Sequence, residues 1–248
     1  MPSVGLGTWP LKGDACKQVL KDALEIGYTH IDTAWMYQNH KEIGEYLQAS
    51  GVDRGSLFIT SKISKDHLSY NDTMAQIDEI LKDLRTDYVD LLLIHWPSDT
   101  VPMEETFRAF NEIHAAGKAL SVGVSNFSVA QLKESSAVSK SPICVNQIKY
   151  HPSHEQRDVL DWCEKNKIVV TAYSPLGKEK ILNDPLLLEI AANQNKSSAH
   201  ICLKWLLQQG MIVIPKASSR DHLEANLDVF DWTLSEKEMD SISGMYSA

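Results

Sequence analysis

Val89-Asp90-Leu91-Leu92-Leu93-Ile94-His95-Trp96-Pro97 is the stretch that decides the fold. Its centre, Leu91 to Ile94, is apolar without alternation, as a strand covered on both faces should be. Such strands belong to parallel sheets wrapped by helices. The imidazole of His95 arrives where the apolar run stops. Working outward, the pattern recurs along the chain. Short apolar runs at residues 4–8, 29–32, 57–61, 89–94, 120–124, 144–147, 168–172 and 211–214 read as strands. Between them lie helical patterns at 14–26, 41–50, 70–84, 103–116, 128–138, 155–166 and 197–209, with further turns at 185–193. Ile77, Ile80, Leu81 and Leu84 show the spacing of an amphipathic helix face. The last barrel helix is expected at 220–229. A terminal helix is expected at 235–243, with Ser235 capping and Glu238 three residues on.

Eight β runs each followed by a helix imply parallel strands joined by right-handed crossovers. An open doubly wound sheet would carry a glycine-rich phosphate fingerprint after its first strand. Gly5-Leu6-Gly7 lacks the third glycine and meets no helix at the required spacing. A closed (β/α)8 TIM barrel is therefore expected, as one domain over residues 1–248, with its active site where the strands end.

Four polar residues sit just beyond those runs: Asp32, Tyr37, Lys62 and His95. Singly, each has an ordinary reading: a helix cap, a half-buried packing ring, a solvated loop lysine, a satisfied polar edge. Together, on neighbouring parallel strands, they can converge on one point. The set suits proton transfer to a carbonyl oxygen. An ammonium beside a phenol lowers the phenol's pKa, a carboxylate holds the lysine, and an imidazole positions the substrate oxygen.

Bulk properties narrow the alternatives. The 248 residues are 43% hydrophobic and 23% charged, enough apolar material for a sizeable core. The formal net charge of −9 argues against nucleic acid and anionic membrane surfaces as partners. Cys16, Cys144, Cys163 and Cys202 are far apart and form no C-x-x-C pair, so they read as buried free thiols of a reducing compartment. No run approaches the ~18 apolar residues that span a bilayer, and a cytoplasmic location is the default. No metal site is expected: His95, His151 and His154 lack ligand spacing, and the latter two, flanking a proline, are expected on a surface loop.

Gly5-Leu6-Gly7-Thr8-Trp9, His30-Ile31-Asp32-Thr33-Ala34-Trp35-Met36-Tyr37, Thr60-Ser61-Lys62 and Leu93-Ile94-His95-Trp96-Pro97 resemble the aldo-keto reductases. So do Val122 to Phe127, Val145-Asn146-Gln147, Ala172 to Gly177 and Val213-Ile214-Pro215-Lys216, in the family's order. The resemblance runs from residue 5 to 216 and is nearest to the short microbial diketogluconate and methylglyoxal reductases. It implies NAD(P)H-dependent reduction of aldehydes and ketones, with small dicarbonyls and aromatic or sugar-derived aldehydes as substrates. Tyr37 would be the general acid, Lys62 and Asp32 would tune it, and His95 would set the carbonyl's angle.

The same resemblance implies the coenzyme site. Ser125, Asn126 and Gln147 would hold the nicotinamide carboxamide, and Tyr173 would stack under the ring. Gly7, Thr8, Trp9 and Asp32 would border it. Ser174, Pro175 and Leu176 would flank the pyrophosphate, and Lys216, Ala217, Ser218, His222 and Asn226 the adenosine end. Two departures stand out. Ala217 replaces a frequent serine, and His222 stands where an arginine often clamps the 2′-phosphate; imidazole is a weaker, pH-dependent substitute. Lys216 remains, and Arg220 offers a second cation. NADPH is the expected coenzyme, with a relaxed preference that admits NADH. Trp9, Trp35, Met36 and Trp96 would wall the substrate pocket; for Trp35 ordinary packing is an equal alternative.

The chain is short for that family in the three loops that close over substrate, and it lacks the N-terminal hairpin that usually plugs the barrel. An open, weakly selective site follows, in a monomer. The other class of function on this framework is a cofactor-sensing regulatory or binding subunit with little turnover, against which the intact four-residue set speaks.

Overall fold

The computed structural model describes residues 1–177 and 179–247. Eight strands form one sheet in chain order: β1 Leu6–Gly7, β2 His30–Asp32, β3 Phe58–Ile63, β4 Leu91–Ile94, β5 Val122–Ser125, β6 Ile143–Lys149, β7 Val169–Tyr173 and β8 Ile212–Val213. Every neighbouring pair is parallel. The ends of the sheet meet through the residues before β1. Val4 bridges Val213, Gly5 N–H donates to the Val213 carbonyl at 2.8 Å, and Val213 N–H donates to the Ser3 carbonyl at 2.9 Å. This is a closed (β/α)8 barrel.

The helices are α1 Gly13–Ile26, α2 His40–Ser50, α3 Tyr70–Leu84, α4 Met103–Ala115, α5 Val129–Val138, α6 Arg157–Lys165, α7 Glu179–Leu182, α8 Pro185–Gln194, α9 Ser198–Gln208, α10 Arg220–Leu227 and α11 Glu236–Ser243. α3 buries Ile77, Ile80, Leu81 and Leu84 against the barrel, as their spacing requires. Ser235 and Glu238 form the reciprocal cap that starts α11. The main core lies between barrel and helices. A separate small cluster of Leu91, Leu93 and Val145, with Phe58 and Cys144 packed on it, fills the barrel. Phe58 and Leu91 open their strands, so these side chains occupy the end of the barrel opposite the polar residues. His30 stands edge-on to Phe58 at 5.2 Å and lies over Gly5, where a Cβ would meet its ring at 2.5 Å. That layer of side chains fills this end of the barrel.

Several expectations change. A 3₁₀ turn at Trp35–Tyr37 and the short α7 carry no periodic signal and were not anticipated. α6 begins at Arg157 rather than at residue 155, because Glu155 is drawn inward and paired with Arg157 at 2.7 Å. His151 is not on an exposed loop. It is 5% exposed, bridges His154 and lies beneath Gly177. Cys16, Cys163 and Cys202 are buried free thiols, whereas Cys144 is only half-buried. Among the described residues no helix is long and apolar enough to cross a membrane.

Candidate active site

A cleft of ≈ 680 Å³ opens where the strands end, and Asp32, Tyr37, His95 and Gln147 line it. The strand register places its floor. Asp32 closes β2 opposite Thr60, and Lys62 follows two residues along β3 on the same inward face. Lys62 is 0% exposed and Asp32 2%. Lys62 Nζ donates to Asp32 Oδ1 at 2.6 Å and to the Thr33 carbonyl at 2.8 Å. An unpaired ammonium here would cost several kcal/mol. Burial does oppose its charge, but Asp32 and Tyr37 outweigh burial and hold the Lys62 pKa above the ordinary lysine value. The lysine stays protonated.

Tyr37 is carried by the 3₁₀ turn after β2, and the Lys62 ammonium lies 5.2 Å from its ring centroid. Burial pushes the phenol's pKa up and Asp32 adds to this, while Lys62 pulls it down. The expected lowering by Lys62 is therefore present but outweighed, and the phenol keeps its proton at neutral pH. His95 stands edge-on to Tyr37 at 5.7 Å between ring centroids. Burial and the nearby Lys62 charge, opposed by Asp32, depress its pKa to about 4. It is a neutral imidazole, and its Nδ1 has no protein partner.

Asn39 was not legible as part of this site. Its side chain donates to the carbonyls of Thr8 (3.2 Å) and Leu11 (3.0 Å) and accepts from Thr33 Oγ1 at 2.7 Å. Thr33 supplies the second acceptor of Lys62, so Asn39 ties the turn bearing Tyr37 to both the lysine and the β1–α1 loop. The only signal was an asparagine just before a helix, which suggests a cap. Its side chain makes no capping bond.

The wall formed by β5, β6 and β7 is fully engaged. Ser125 Oγ donates to the Gln147 carbonyl at 2.8 Å. Asn126, at φ 64, donates to the His95 carbonyl and to Ser125 Oγ, each at 3.0 Å, and accepts from Tyr173 Oη at 3.0 Å. Asparagine tolerates this left-handed backbone better than most residues. Gln147 Nε2 reaches across the barrel to Asp32 Oδ2 at 2.7 Å, a contact the sequence did not announce. Gly7, Thr8, Ser174, Pro175 and Lys216 complete the lining. A Cβ on Gly7 would meet the Ile214 carbonyl at 2.6 Å, so only glycine lets β1 pass this close to the end of β8.

Other expected residues fall elsewhere. Leu176 packs on the main core and Ala217 is buried in it. Ser218 and His222 are exposed at the start of α10, outside the cleft, and buried Asn226 interacts with the Tyr28 phenol. Arg220 is not free. It pairs with Glu25 and Glu224 at 3.0 Å each and lies 3.8 Å from Asp22. Trp35 is turned away from the cleft. Its indole N–H donates to Glu79 at 3.0 Å and its ring packs 5.0 Å from His67. Trp9, Met36 and Trp96 do form the exposed apolar rim. Among the described residues no group of three His, Cys, Asp or Glu side chains could hold a metal ion.

The cleft's lining offers groups that could hold a cofactor. One aromatic face (Tyr173), a cluster of amide and hydroxyl groups, a close backbone pass at Gly7 and an exposed cation at Lys216 converge there. Comparison with known proteins agrees with this geometry. The model of the aldo/keto reductase family matches residues 3–247. The chain is 37% identical to the glyoxal reductase of Bacillus subtilis (strain 168) over 246 residues, covering 99% of this chain and 89% of that protein. It is 38% identical to methylglyoxal reductase DkgB of Salmonella typhimurium over 248 residues, covering 99% and 93%. A solved structure of a candidate 2,5-diketo-D-gluconic acid reductase B superposes with a TM-score of 0.96 at 39% identity, covering 99% of this chain and 88% of that one.

Proposed function

Because the chain belongs to the aldo/keto reductase family, whose members use nicotinamide coenzymes, we propose that it reduces small aldehydes and ketones to alcohols with Tyr37 as the general acid. When bound, the coenzyme supplies the hydride to the carbonyl carbon. Tyr37 gives its phenolic proton to the carbonyl oxygen, so hydride and proton together make the alcohol. The phenolate left behind faces the Lys62 ammonium, which Asp32 and the Thr33 carbonyl hold in place. Solvent then restores the proton. His95, a neutral imidazole lining the cleft, orients the same oxygen by a hydrogen bond from Nε2, its Nδ1 being buried. The observation that carries this reading is the fully buried Asp32–Lys62 pair at 2.6 Å beneath Tyr37, a costly arrangement unless a proton is to be handled beside it.

Gly7, Ser125, Asn126, Gln147 and Tyr173 would hold the nicotinamide half of the coenzyme. NADPH is the favoured form, because exposed Lys216 at the edge of the cleft can face a 2′-phosphate. The preference over NADH is modest, since Ala217 adds no hydroxyl and Arg220 is held by acids. The rim of Trp9, Met36 and Trp96 over a cleft with short flanking loops suits small dicarbonyls and aromatic aldehydes, in line with the names of the relatives. Steady-state turnover of methylglyoxal and an aromatic aldehyde with each coenzyme, in wild type and Tyr37→Phe, tests the reading.

A further inference from the structure

Asp32 has two carboxylate oxygens and two partners inside the barrel. Lys62 Nζ takes Oδ1 at 2.6 Å, and Gln147 Nε2 takes Oδ2 at 2.7 Å from β6, 115 positions along the chain. All three side chains are buried. A carboxylate beside an ammonium is ionised and can only accept, so the amide must turn its NH₂ end to Asp32. The Gln147 backbone is fixed as well, because its carbonyl accepts from Ser125 Oγ at 2.8 Å and from Asn126 N–H at 2.9 Å. With both ends held, Gln147 Oε1 is the acceptor left to face the cleft.

We propose that Gln147 is a positioning residue for the Asp32–Lys62 pair and that its amide joins the wall reading the coenzyme to the side of the site delivering the proton. This rests on the functional reading above for its consequence in turnover, but the bond itself does not. A hydrogen bond to an ionised group is stronger than a neutral one, and this one fixes the carboxylate's orientation. Without it, the Asp32 carboxylate keeps only its bond to Lys62, and the ammonium under the Tyr37 ring is held less tightly in place. The same constraint makes Gln147 offer an acceptor to the cleft, so it selects an N–H donor on whatever lies over Tyr173, as a primary carboxamide provides. A glutamine that merely lined the coenzyme site would have no reason to aim its NH₂ group across the barrel at the carboxylate.

Two measurements test this. In coenzyme-free ¹⁵N-labelled protein, the Gln147 side-chain amide pair, assigned as the one missing from Gln147→Met, should be widely split and protected from exchange. It should move on Asp32→Asn. In steady state at saturating coenzyme, Gln147→Met should lower kcat about tenfold, the scale of one charged hydrogen bond. Gln147→Glu should recover activity as pH falls, because a protonated carboxyl can donate to Asp32, whereas Gln147→Met should show no such recovery. An amide pair with exposed-like shifts, indifferent to Asp32→Asn, overturns the proposal. So does a Gln147→Met protein that raises the coenzyme KM and leaves kcat untouched. If wild type turns over no carbonyl at all, the functional reading falls, and the amide signals alone decide the bond.

Discussion

Lys62 carries the residue-scale argument. A lysine with no exposed surface is tolerated only because the Asp32 carboxylate and the Thr33 carbonyl take its protons at 2.6 and 2.8 Å. Asp32, Lys62, Tyr37 and His95 could be picked out from sequence because each follows an apolar run, and a parallel barrel collects strand ends. Asn39 could not, and Gln147 was legible only as a coenzyme residue, not as a partner of Asp32. Their contacts depend on which way a side chain turns once the barrel has closed, and sequence gives positions rather than directions. The same blindness left Trp35 evenly divided between pocket and packing and offered Arg220 to a phosphate. At the coenzyme's far end this yields a contrast. Lys216 is exposed and appears in no ion pair of the described residues, whereas Arg220 is shared among acids of α1 and α10. A charged hydrogen bond to phosphate contributes about 1.5–3 kcal/mol, one to two decades of affinity. Lys216→Ala should therefore nearly erase the NADPH/NADH ratio of kcat/KM, while Arg220→Ala changes it by less than about threefold. Loss of the preference in Arg220→Ala would mean that this arginine leaves its acids for the coenzyme.

At the scale of elements, helix existence was readable and helix approach was not. α2 and α3 follow from their apolar spacing, but their separation is set by Gly44. A Cβ there would lie 2.2 Å from the Asp83 carbonyl oxygen and 2.6 Å from the Leu84 carbonyl carbon, both backbone atoms that cannot swing aside. Gly44→Ala must push the helices apart. We expect a loss of about 1–3 kcal/mol in urea unfolding, the usual cost of overpacking, although alanine is the better helix former. A gain in stability would show that the α2–α3 contact is looser than its geometry. The edges β1 and β8 are each two residues long, shorter than the apolar runs containing them. Closure relies on Ser3, Val4 and Gly5 meeting Val213 by single bonds, and such irregular pairing leaves no periodic trace in sequence. The 3₁₀ turn that presents Tyr37 is invisible for the same reason.

At the scale of the whole molecule, the barrel keeps imidazoles inside. His30 bonds Thr60 Oγ1 at 3.1 Å and His40 bonds Ser61 Oγ at 2.9 Å. Burial, slightly opposed by Asp32, depresses the His30 pKa to about 4, and burial together with Lys62 depresses that of His40 to about 3. Unfolded, both would titrate near ~6.5. Their folded values are the lower ones, so the unfolded chain takes up protons first. The stability they permit is full above ~6.5 and is lost as pH falls toward 4 and 3. Between pH 7 and pH 5 each should remove about 2 kcal/mol from the unfolding free energy. Urea titrations at half-unit pH steps should show the decline starting near 6.5, and a flat profile down to pH 5 would contradict it. The central claim concerns chemistry, and one comparison tests it most directly: kcat for methylglyoxal reduction and coenzyme Kd, measured together in wild type and Tyr37→Phe. Removing the proton donor alone should reduce kcat by at least about a hundredfold, the general acid's share, and leave Kd within about twofold. A Phe variant that keeps most of its kcat would show that another group delivers the proton.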